Sequence, residues 1–107
     1  MEEAYRQEVE RADQALRRDD FEIAIRHLER AHVLAQRMTC RHTFIHWRML
    51  VAGVRRGDVR EVVGQVPRIV ASILFSRLWV PRGNCGRARV SALKPMPVPD
   101  DLRHLVP

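Results

Sequence analysis

The sequence predicts an all-α protein of four helices folded as two antiparallel hairpins, with an extended, proline-rich C-terminal tail packed over them. Three observations carry this reading. Apolar residues recur at spacings of three and four through most of residues 3–79, the breaks between these runs are only two or three residues long, and prolines and glycines crowd the chain after Trp79. At 107 residues and 12.5 kDa a single domain is expected, with residues 1–80 as the helical body and 81–107 as a tail of the same domain.

The first helix covers residues 3–18, where Ala4, Tyr5, Val9, Ala12, Ala15 and Leu16 share one face. Asp19 and Asp20 supply a turn and an N-cap for the second, Phe21 to Gln36, whose apolar stripe includes Ala24, Ile25, Leu28 and Ala31 and takes in His32. Thr39 can cap a third helix that runs to about Arg56. Phe44, Ile45, Trp47, Met49, Leu50 and Val51 leave it almost no polar face, so it should be a central helix packed on several sides, with Trp47 and Trp79 as core anchors. Its one arginine in mid-course, Arg48, needs a carboxylate, and Glu8 or Glu29 would serve. Gly57 and Asp58 break and recap the chain, and the fourth helix runs from Val59 to about Trp79, with Pro67 predicting a kink near residues 63–67. Beyond it, seven prolines and glycines between Pro81 and Pro107 rule out helix and central strand. Val90, Leu93, Met96, Val98, Leu102 and Leu105 are too apolar for a free linker, which predicts the strapped tail.

An offset of 38 residues lays the segment from Ala15 to Phe21 over that from Gly53 to Val59. The first copy, ALRRDDFEIAIRHLERAHVL, resembles a tetratricopeptide repeat, although 38 departs from that repeat's usual period of about 34. The resemblance implies two tetratricopeptide-like hairpins over roughly residues 4–74.

The formal charge of +6 is uneven: residues 1–36 carry nine acids and six bases, the remainder four acids and thirteen bases. A basic C-terminal portion would suit an acidic protein or peptide partner, but no nucleic-acid-binding motif accompanies the charge and no nucleic-acid partner is expected. Cys40 and Cys85 do not make a disulfide framework, the acidic N-terminus has no signal-peptide character, and charges interrupt the apolar stretch from Val59 to Val80. A soluble, cytoplasmic protein without membrane contact is expected, and a homodimer would help so short a chain.

Three of the five histidines, His32, His42 and His46, fall within fifteen residues on the second and third helices, with Glu29 one turn before the first. The short link forces these helices antiparallel, with their joined ends together. Residues three or four apart differ by about 60° or about 40° around a helix, so Glu29 with His32 and His42 with His46 each share a face. Imidazole and carboxylate donors suit a divalent first-row ion, zinc foremost, and the candidate ligand set is His32, His42, His46 and Glu29. The alternative is a metal-free interaction module, in which each buried histidine bonds a carboxylate, Gln36 or a tail carbonyl. Cys40 is a bystander, Met38, Met49 and Met96 are core fillers, and His27 and His104 are solvated in this reading. Di-iron chemistry would need a second Glu-x-x-His, and no phosphate loop, nucleophile elbow or Cys-x-x-Cys pair is present. No enzyme is expected, beyond what a three-histidine ion with an open position could do in activating water.

The strings ERAHVLAQ (29–36), HTFIHWRML (42–50), GNCGRARVS (83–91) and KPMPVPDDL (94–102) together resemble a family of short bacterial proteins of unknown function. The family pattern falls on Glu29, His32, Gln36, His42, His46, Gly64, Gln65, Gly83, Asn84, Gly86 and Pro95 to Pro97. This chain departs from it at Ala35, where glycine is usual, and at Cys85, where threonine is usual. The resemblance implies a bacterial source and an association with metal handling; it supplies no activity.

Overall fold

The computed structural model describes residues 1–76, 82–91 and 93–106. Four α-helices follow one another: α1 (Glu2–Arg17), α2 (Phe21–Ala35), α3 (Thr39–Arg56) and α4 (Val59–Phe75). α1 pairs with α2 and α3 with α4 as two hairpins, and α2 packs on α3 to join them. No strand occurs among the described residues, and no helix among them is long and apolar enough to cross a membrane.

The helix limits follow from local chemistry. Asp20 caps α2 by accepting from the Ile23 amide, Asp58 caps α4 by accepting from the Glu61 amide at 3.1 Å, and Gly57 ends α3 in the left-handed conformation with φ 76°. Thr39 is not the cap of α3; Met38 holds that position without a side-chain bond, and Thr39 is the first helical residue. Pro67 lies inside α4 without dividing it. The carbonyl four residues earlier, that of Val63, loses its usual donor, and both residues lie on the exposed side where water can replace it. The expected extension of α4 to Trp79, and Trp79 as an anchor, lie outside the described residues.

The apolar core sits between α1, α2 and the inner side of α3. Ala12, Leu28, Ala31, Ile45 and Met49 form one cluster; Ala15, Leu16, Ala24, Ile25 and Ala52 form a second. The alanines allow close approach of the helix backbones, and Tyr5, Val9 and Phe21 close the edges. Glu8 is buried on α1 and accepts from His27 at 2.6 Å and Arg30 at 2.9 Å on α2, so His27 is a bonded, half-buried residue rather than a solvated one. Arg48 takes neither Glu8 nor Glu29 but Asp13, at 2.5 Å.

The third helix is not surrounded, contrary to its apolar composition. Trp47 is 52% exposed, Val54 61% and Phe44 41%, so Trp47 is no core anchor. α4 is turned the same way: its buried positions are Glu61, Gln65 and Ser72, while Val59, Val63, Val66, Val70 and Ile73 face outward. Composition cannot foresee this, because an apolar stripe specifies burial without specifying the covering surface.

The C-terminal segment is packed on the helices, through Val98 and Leu102 against Val33 and Leu34. It is not extended throughout, since Asp100–Leu105 form a 3-10 helix after Pro99. Asp101 within it pairs with Arg30 at 2.5 Å. Leu28 is fully buried at the meeting point of α1, α2 and α3. Leu28→Ala should therefore cost about 2–5 kcal/mol of unfolding free energy, read from urea titration of the circular dichroism signal.

Candidate metal centre

His32 stands in the last turn of α2, and His42 and His46 stand in the first two turns of α3. The link from Gln36 to Met38 brings these turns side by side, and all three side chains are buried, at 3%, 7% and 3% exposure. Their ring centroids are 4.7 Å apart in every pair. The Nε2 atoms converge: His32 to His42 3.0 Å, His32 to His46 3.2 Å, His42 to His46 2.9 Å.

The outward nitrogens decide what these contacts are. His32 Nδ1 lies 2.7 Å from the Asn84 carbonyl, which can only accept, so Nδ1 carries the proton. His46 Nδ1 lies 2.6 Å from Gln65 Oε1. The Gln65 amide is oriented by its own donors, which go to Glu61 Oε1 at 2.8 Å and the Gly86 carbonyl at 3.0 Å, so its oxygen must face His46 and accept. His42 Nδ1 lies 2.9 Å from Ser76 Oγ, whose hydroxyl hydrogen is given to the Ser72 carbonyl. Ser76 therefore accepts as well. Each neutral ring has one proton, each proton is on Nδ1, and the three Nε2 atoms present lone pairs to one another. None of the three short contacts is a hydrogen bond.

Burial keeps the rings neutral. It drives His32 well below the usual histidine range, with His46 and His42 adding to the effect and the Asn84 carbonyl opposing it. Burial, helped by His46 and opposed by the Gln36 carbonyl, pushes His42 down to about 3. His46 falls to about 4 by burial, against the bond to Gln65 and with Arg68 adding to the fall. A shared proton is thus a poor cation for the space between the Nε2 atoms at neutral pH.

The dimensions fit a metal ion. Three nitrogens bound at about 2.0–2.1 Å in a tetrahedral arrangement stand about 3.3 Å apart, close to the 2.9–3.2 Å found here. Protein acceptors on the remote nitrogens are the usual way of fixing tautomer and ring direction in such centres. Gly86, with φ 83°, closes over His32, and a Cβ at that position would stand 2.8 Å from its Nε2. Only glycine leaves that approach clear.

Glu29 is not in the group, which among the described residues comprises the three histidines alone. Its carboxylate accepts from Arg87 at 3.1 Å, and Arg87 also binds the buried Glu61 at 3.0 Å. The guanidinium comes from the C-terminal segment, a partner that helical spacing cannot reveal. Neither cysteine joins the group: Cys40 is exposed, and burial raises the Cys85 thiol, which keeps it protonated. Ser76 and its neighbour Ser72 escape sequence reasoning altogether, since no spacing rule links them to His42. Gln65, Asn84 and Gly86 are marked only by the family strings.

A family model described as "Protein of unknown function (DUF3703)" matches residues 1–106. No curated protein and no solved structure matches the chain.

The buried neutral histidines make the metal-free fold sensitive to acid. An unfolded chain takes up protons at these positions as pH falls below about 6.5, whereas the folded chain does so only near 4 and below for His46 and near 3 for His42. Stability is therefore full above about 6.5 and declines as pH falls toward 4. The decline should approach about 1.4 kcal/mol per pH unit for each histidine. Chemical denaturation of metal-free protein at stepped pH measures the slope, and His42→Asn should make it shallower.

Proposed function

We propose that this chain, which belongs to the DUF3703 family, binds one divalent first-row metal ion, zinc by preference, through the Nε2 atoms of His32, His42 and His46. One observation carries the reading: three buried lone pairs meet with no proton among them, because every ring proton is committed to an acceptor on the far side. A cation turns that repulsion into three bonds. A metal-free hairpin module accounts for the outer bonds but not for the inner convergence.

Neutral nitrogen donors without thiolate suit zinc among the common ions. Three protein ligands leave one coordination position for a water or small ligand. Glu29 has no part in the set, since Arg87 holds it. We read the paired hairpins as tetratricopeptide-like and the compartment as a bacterial cytoplasm, which suits two thiols that are not joined.

Protein produced without a histidine tag in metal-replete medium should contain close to one equivalent of zinc by elemental analysis. The His32→Ala, His42→Ala double variant should contain none. Absence of metal from the natural sequence under the same conditions overturns the proposal. Ser76→Ala removes only the acceptor behind His42, and competition with a chromophoric chelator should show affinity about 10–100-fold weaker.

A further inference from the structure

The face of the second hairpin turned away from α1 and α2 is apolar and exposed. On α4, Val59, Val63, Val66, Val70 and Ile73 are each more than half exposed. Their spacing of four, three, four and three is the heptad seam by which one helix lies along another, and it covers about 21 Å at 1.5 Å per residue. On α3, Phe44, Trp47 and Val54 are exposed as well, outside the buried side formed by Ile45, Met49 and Ala52. The other side of α4 is committed to Glu61, Gln65 and Ser72, so the helix cannot rotate its valines inward without breaking the acceptors that hold the histidines.

We infer that this face is the contact between two copies of the chain, paired about a twofold axis with α4 against α4. Its size supports this occupant. With Leu74, the exposed α4 residues leave on the order of 600 Å² of mostly apolar surface in water, and Phe44, Trp47 and Val54 of α3 on the order of 300 Å² more, against the ~800 Å² that each partner of a standard interface contributes. An uncharged seam of β-branched residues along one helix is self-complementary, as a twofold contact requires. Stacked helical hairpins also need a polar outer face on the last unit to remain single, and this hairpin has the reverse. The inference is independent of metal binding, because no histidine lies on the face.

Sedimentation equilibrium of the full chain in the presence of a chelator tests it, since an ion bridging two copies is then removed. The expected mass is about 25 kDa, twice the 12.5 kDa of one chain. The variant V66E, V70E should sediment as a monomer while keeping its helical circular dichroism. Should those glutamates unfold the chain, the isosteric pair V66T, V70T should still raise the dissociation constant at least tenfold. A natural sequence that stays monomeric at micromolar concentration overturns the inference, because the face is then covered by some other segment or partner. A dimer that survives these substitutions also overturns it.

Discussion

The arrangement of this protein turns on the direction of three protons. Once Asn84, Gln65 and Ser76 draw the Nδ1 hydrogens of His32, His46 and His42 outward, the Nε2 lone pairs have nowhere to point but at each other. The three acceptors come from two different parts of the chain, α4 and the segment after it. Their positions therefore fix how α4 lies against α3 and how the tail lies against α2. A buried polar group without a partner costs on the order of 1–3 kcal/mol, so the outer bonds alone are a substantial constraint on the fold.

The interior consequently has two characters. Between α1, α2 and the inner side of α3 it is aliphatic, built from alanine and leucine at close range. Between α3, α4 and the tail it is polar, and Gln65 stands at its centre. That one amide accepts from His46 and donates to Glu61 and to the Gly86 carbonyl. Glu61, buried at 2% exposure, is matched in turn by Arg87 and the Ala88 amide. Filling this layer with polar groups leaves the valines of α4 without a place inside. The exposed seam is the complement of the histidine centre, and both are consequences of the same helix orientation.

Much of this was legible in the sequence, for reasons that differ by element. The limits of α2, α3 and α4 follow from Asp20, Gly57 and Asp58, whose effects are local. The meeting of His32 with His42 and His46 follows from a link too short to allow any arrangement but an antiparallel one. The fates of Glu29 and of the outer acceptors are different in kind. Glu29 is claimed by a residue 58 positions away, and His32 is oriented by one 52 positions away. Periodicity is blind at that range. The orientation of α3 and α4 was hidden for another reason: a three-four pattern announces a sticky side, and a second molecule can satisfy it as well as the chain's own core. The 3-10 turn at Asp100–Leu105 was masked by the prolines before it, which exclude a long helix but tolerate a short one.

Asn84 joins the centre to the tail in a way that bears on biosynthesis. Its carbonyl holds His32, its side-chain oxygen accepts from the Gly86 amide at 2.9 Å, and its side-chain nitrogen donates to the carbonyls of Ser91 and Lys94 at 2.8 and 2.7 Å. Asn84 follows His46, the last of the three histidines, by 38 residues. Until Asn84 has been made, His32 has no acceptor there to fix its tautomer. The orientation of the three histidines is therefore completed only by the last quarter of the polypeptide.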